Sequence, residues 1–104
     1  MKTLSPFILL LSLFAGCGGA ASPRVEAIVA LSTDVQAGKP LYEAKCQVCH
    51  GANGAGTSLG PDIRSKENNT DNVEIIVEGG GDMPAFATMS DQEIADTNAY
   101  ANSL

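Results

Sequence analysis

The chain has no tryptophan, a single histidine (His50), three cysteines and only six basic residues among 104. Each scarcity excludes something. Six Lys and Arg against twelve Asp and Glu leave a net charge of −6. Without clustered cations such a surface does not hold a polyanion, so no nucleic-acid partner is expected. After export the chain offers only Cys46, Cys49 and His50, which falls short of the four N or S ligands of a zinc site. No alternation of strand and helix patterns surrounds the C-x-x-C pair, which argues against a thioredoxin-like dithiol. The length leaves no room for a multi-domain enzyme. Of five aromatic residues, Phe7 and Phe14 fall in the N-terminal apolar stretch, so Tyr42, Phe86 and Tyr100 remain for the fold. From Asp34 to Leu104 there are 16 large apolar residues in 71. So thin a core is marginal, and a disulfide, a metal or a cofactor is expected to help fill it.

Long hydrophobic runs are missing as well. The apolar run from Pro6 to Ala15, broken only by Ser12, is shorter than the roughly 20 residues that span a bilayer. With Lys2 before it and small residues after it, residues 1–16 read as a secretory signal peptide. Export to an oxidising compartment follows. Leu13-Phe14-Ala15-Gly16-Cys17 resembles a bacterial lipoprotein box, in which the Cys becomes the lipidated first residue. The alternative is ordinary cleavage after Ala21, which discards Cys17. The other two cysteines form a motif of their own, so Cys17 would otherwise be an odd thiol in an exported chain. Residues 17–33 then read as a lipidated N-terminus and flexible tether. Its mildly apolar piece, Val25 to Leu31, has a second reading as a short helix packed on the domain. Residues 34–104 form that domain.

Cys46-Gln47-Val48-Cys49-His50 is the informative stretch. With zinc and the redox fold set aside, C-x-x-C-H reads as a covalent haem anchor. Two thiols three apart on a helical turn reach two vinyl groups of one porphyrin, and the next residue places an imidazole against the iron. A disulfide with a bystander His is the bland alternative. Met83 and Met89 are the downstream candidates for a second axial ligand. Met83 follows Gly79-Gly80-Gly81-Asp82 and precedes Pro84, so the backbone can pass close to a macrocycle and then stiffen. Met89 precedes a helix start and suits gap-filling in the core.

These residues resemble those of class I cytochromes c, from about Asp34 to Leu104. The likeness rests on Gly38 with Tyr42, on Cys46-x-x-Cys49-His50-Gly51, on Gly60-Pro61-Asp62-Ile63 and on Gly81-Asp82-Met83-Pro84-Ala85-Phe86, and it closes with a terminal helix bearing Tyr100. It implies an all-α fold, the small cytochrome c fold, with three or so short helices and long loops wrapped around one covalent haem c. It also implies thioethers at Cys46 and Cys49, axial ligation by His50 and Met83, and the carbonyl of Pro61 accepting the second ring N–H of His50.

Ser90-Asp91-Gln92-Glu93 is a capping box that starts a helix running to about Asn102. Its inward face would carry Ile94, Tyr100 and Ala101, with Ala95 and Ala99 allowing close approach. Asp71 or Asn72 would cap a shorter helix bearing Val73, Ile76 and Val77 that stops at the glycine triplet. Gly51 to Pro61, with four glycines and no periodicity, is a loop. Pro40 falls where the first helix should run, so that helix is expected to be kinked or to begin near Pro40.

With both axial positions filled, the expected role is one-electron transfer between redox partner proteins at the bacterial cell envelope, without catalysis of its own. The chain would be a monomer or one subunit of a redox complex. Two other classes stay open: a haem subunit of a larger oxidoreductase, and a gas sensor or peroxidase with a labile Met83. Cys17→Ser should move the protein from the membrane fraction to the soluble fraction. Equal partition of variant and parent would place the cleavage at Ala21 instead.

Overall fold

A computed structural model describes residues 21–64 and 69–104. Residues 1–16, expected to be a signal peptide, and Cys17 lie outside the described residues. Among those described the architecture is all-helical: α1 Pro23–Val29, α2 Val35–Lys45, α3 Gln47–His50, α4 Asn69–Glu78 and α5 Asp91–Asn102. None of these helices is long and apolar enough to cross a membrane.

Helix α5 begins where the capping box predicts and runs to Asn102. The Ser90 hydroxyl accepts from the Glu93 N–H at 3.1 Å, and the Ser90 N–H donates to Glu93 Oε1 at 2.9 Å. The backbone N–H of Ser90, then its hydroxyl, holds the Glu93 carboxyl below its ordinary range. The buried face is more polar than the sequence suggested: Asp96, Thr97 and Asn98 are buried beside Ile94, Ala95 and Ala101.

Helix α2 packs along α5. It does not begin near Pro40. It starts at Val35, where the Asp34 carboxylate accepts from the N–H groups of Gln36 and Ala37 at 3.0 and 3.2 Å, and Pro40 lies inside it. Docking on α5 outweighs the roughly 3 kcal/mol that an interior proline costs. The Asp34 N–H in turn donates to Asp96 Oδ1 at 2.8 Å, and Gln92 Nε2 reaches the same oxygen at 2.9 Å. The start of α2 is thus bonded to the middle of α5. At Gly38 the two backbones nearly touch, since a Cβ there would lie 1.9 Å from the Asp96 carbonyl oxygen. One turn later the rings of Tyr42 and Tyr100 meet at 5.3 Å between centroids, tilted by 55°, a favourable aromatic geometry.

Residues 23–29, left between tether and helix by the sequence, are helical. Ser22 caps α1 and Pro23 opens it, the position where a missing N–H costs nothing. Val25 and Ile28 are completely buried, in one cluster with Val73 and Val77 of α4 and Ile94 and Ala95 of α5. Burying two such side chains stabilises the folded state by about 1.5–3 kcal/mol each, which a flexible tether over 17–33 would forgo. The tether therefore does not extend through these residues. Helix α4 spans Asn69–Glu78, so Asp71 and Asn72, the expected caps, lie within it, and Gly79 with φ +75° follows it.

Gly38→Ala should destabilise the folded holoprotein by about 3 kcal/mol, because the added methyl meets backbone that cannot yield. Denaturant titration of the variant against the parent checks this.

Candidate haem site

Cys46 ends α2, and one helical turn, α3, carries the next four residues. The N–H groups of Cys49 and His50 both donate to the Cys46 carbonyl, at 3.2 and 3.0 Å. This turn sets the two thiols three residues apart on a short rigid scaffold. Both cysteines are free thiols and half-buried, so the disulfide alternative is not what the structure contains. Burial pushes the Cys46 thiol up to about 11, with Lys45 pulling slightly the other way. Among the described residues, no group of three or more His, Cys, Asp or Glu side chains is placed to hold a metal ion.

His50 is buried, and its Nδ1 lies 2.8 Å from the Pro61 carbonyl oxygen. A carbonyl only accepts, so this bond assigns the ring proton to Nδ1 and leaves the Nε2 lone pair free. The intervening loop is folded to make the contact. Gly51, at φ +83°, turns the chain out of α3. The Gly56 N–H returns to the His50 carbonyl at 2.9 Å, and the Thr57 hydroxyl donates to the Cys49 carbonyl at 2.6 Å. Gly60 then lies so close that a Cβ would sit 2.9 Å from the Cys49 carbonyl oxygen. Tyr42 fastens the loop from the other side, its hydroxyl donating to the Gly51 carbonyl at 2.7 Å.

Met83 is half-buried in a tight turn, with Gly80 and Met83 exchanging N–H···O bonds of 3.1 and 2.9 Å. Gly79 makes the turn possible, since a Cβ there would be 2.8 Å from the Met83 carbonyl. The Phe86 N–H donates to the Ile76 carbonyl at 2.8 Å and ties the segment to α4. Met89 is elsewhere, buried in the cluster between α1, α4 and α5.

One cavity of about 490 Å³ gathers Cys46, Cys49, His50, Pro61, Met83 and Phe86, a volume within the range of cofactor pockets. Met89 does not line it; Thr97 does, and the Thr97 hydroxyl is buried without a hydrogen-bond partner. Val48, Leu59 and Ile75 also line it and are 70%, 64% and 46% exposed. Apolar residues so exposed around one cavity fit a large apolar occupant. A porphyrin tethered through two thiols suits this lining, and the residues present fit the group. Sequence reasoning missed the contribution of α5. Thr97, Asn98 and Ala101 line the cavity, and with the core residue Ile94 they fall at i, i+3, i+4 and i+7, the spacing that was the available signal.

Tyr42→Phe should cost about 1–2 kcal/mol, because the Gly51 carbonyl loses its hydroxyl donor while the ring packing is kept. Denaturant titration of the holoprotein measures it.

Comparison with known proteins places the chain in context. Residues 33–100 match a family described as cytochrome C oxidase, cbb3-type, subunit III. Among solved structures the chain is similar to cytochrome CL of the marine methylotrophic bacterium Methylophaga aminisulfidivorans, with a TM-score of 0.61 and 23% identity. The alignment covers 89% of this chain and 73% of that one, and at this identity it speaks for the fold. Comparison with curated proteins gives no match.

Proposed function

The chain belongs to the cytochrome c family, matched along residues 33–100, and from that premise we propose a single-haem carrier working between redox partners outside the cytoplasmic membrane. As a class I cytochrome c it is a haem electron-transfer protein with covalently attached haem c. The reading assigns the thioethers to Cys46 and Cys49 and the axial positions to His50 and Met83. One observation carries it: a single cavity is lined by both thiols, the His50 ring and Met83, whereas Met89 is packed in the core.

Haem supplies a site that takes up and releases one electron as its iron alternates between two oxidation states. The chain's own residues prepare that site. Pro61 fixes the His50 ring with its Nε2 lone pair available and makes the imidazole a stronger donor. The Met83 thioether is soft and favours the reduced metal, which raises the potential. With His50 and Met83 both holding the iron, no position would stay open for a substrate, so the reading includes no catalysis.

Lipidation of Cys17 belongs to the same reading. The five residues from Gly18 to Ser22 reach at most about 18 Å, so an anchored domain would stay close to the membrane surface. The family description, an oxidase subunit, favours one second reading: a haem subunit held permanently in a larger oxidoreductase. Purification as a monomer after mild detergent extraction would count against it.

Met83→Ala should abolish the sulfur-to-iron absorption band, lower the midpoint potential and let the ferrous protein bind carbon monoxide. Met89→Ala should leave those three observables unchanged and lower stability by about 2–5 kcal/mol, the cost of emptying a buried site. Exchange of these phenotypes would move the axial ligand to Met89. If neither variant alters the spectrum, the carrier reading falls.

A further inference from the structure

Helix α1 lies ahead of residues 33–100, so the family match does not account for it. Beyond covering the core, it grips the segment that carries Met83. The Arg24 guanidinium donates from Nη1 to the Ala87 carbonyl at 2.8 Å and from Nη2 to the Met89 carbonyl at 2.8 Å. Its Nε donates to Asp91 Oδ1 at 2.9 Å. Ala87 and Met89 belong to residues 79–90, which run from the end of α4 through Met83 to the start of α5. Residues 79–86 of that segment are tied to α4 at both ends, through Gly79 and Phe86. The residues that follow have two carbonyls, of Ala87 and Met89, bonded to Arg24. Meanwhile Val25 and Ile28 pack against both α4 and α5, the two helices between which the segment hangs.

We propose that Arg24, held by α1, is a positioning residue for Met83: the N-terminal helix ahead of the cytochrome domain sets how firmly the sixth ligand is kept. The proposal rests on the reading of Met83 as that ligand. Its physical basis is the guanidinium fork. A planar, permanently charged group presents several N–H donors in fixed directions, so it bonds two carbonyls and a carboxylate at once. The ion pair with Asp91 is partly exposed and by itself contributes little. The two carbonyl bonds are what restrain the loop. A soft thioether binds oxidised iron weakly, so in the ferric protein a restrained loop favours rebinding of Met83 over its replacement by an outside ligand.

The test uses the full-length holoprotein in its ferric form, titrated with imidazole while the sulfur-to-iron band is followed. Arg24→Ala should bind imidazole about tenfold more tightly than the parent, as expected for losing charge-assisted bonds. Arg24→Lys keeps the charge but not the fork, and should lie between them at about threefold. Should Arg24→Ala not fold, the Lys variant decides alone. Asp34→Ala removes the carboxylate that accepts from the Gln36 and Ala37 N–H groups at the start of α2, and serves as the control for general loosening. It should lower the denaturation midpoint yet leave imidazole affinity within about twofold of the parent. Parent-like affinity in both Arg24 variants overturns the proposal, as does an equal shift in Arg24→Ala and Asp34→Ala. Met83→Ala separates the two readings. A sulfur band that survives in it overturns the ligand assignment and this proposal with it. A band lost there, beside parent-like imidazole binding in the Arg24 variants, overturns this proposal alone.

Discussion

Helix α2 lies against α5 so closely at Gly38 that a methyl group there would sit 1.9 Å from a backbone oxygen. Much of the site follows from this crossing. It brings the Tyr42 ring to Tyr100 and leaves the Tyr42 hydroxyl within 2.7 Å of the Gly51 carbonyl. It also fixes the far end of α2, where Cys46 hands the chain to α3 and so to Cys49 and His50. Asp96 strengthens the same contact by accepting the N–H of Asp34 from beneath the start of α2. Backbone-to-backbone packing has no flexible side chain to absorb an error, so the position and direction of α2 are set narrowly.

With few large apolar residues, the chain divides its burial between two places. One is the cluster of α1, α4 and α5, where Val25 and Ile28 pack on Val73, Val77, Met89 and Ile94. The other is the 490 Å³ cavity, where apolar side chains face a space that protein atoms do not fill. Val48 and Leu59 are mostly exposed at its lining, the condition of a surface meant to be covered by a cofactor. Met83 and Met89, six residues apart, fall one on each side of this division. Gly80 to Pro84 of the segment joining α4 to α5 line the cavity, and Met89 near its end enters the core.

Glycine shapes both loops around the site, for the same steric reason. Gly60 allows the loop after His50 to lie on the Cys49 backbone and deliver the Pro61 carbonyl to the imidazole. Gly79 allows the turn that presents Met83, since any side chain there would meet the Met83 and Ala85 backbone. Each loop is then closed by its own hydrogen bonds, through Thr57 in one and the Gly80–Met83 pair in the other. Two parts of the lining of one cavity are thereby built from segments with little regular structure.

The sequence by itself determined whatever depends on neighbours along the chain. Cys46, Cys49 and His50 share one helical turn because their spacing requires it, and Ser90 with Glu93 starts α5 because the capping box is local. The glycine triplet marked the end of α4 in the same way. Tertiary structure decided what depends on distant partners. Pro40 stays inside α2 because docking on α5 outweighs its local cost. Residues 23–29 are helical rather than tether because Val25 and Ile28 pack in one cluster with α4 and α5, a choice the local Ser22 cap and apolar run left open. Thr97 and Asn98 are buried because the helix face that holds Ile94 and Ala101 includes them, although their own polarity argues for solvent. Local propensities are worth tenths of a kcal/mol to about 3 kcal/mol per residue, and burial of a few side chains in a shared core equals or exceeds that.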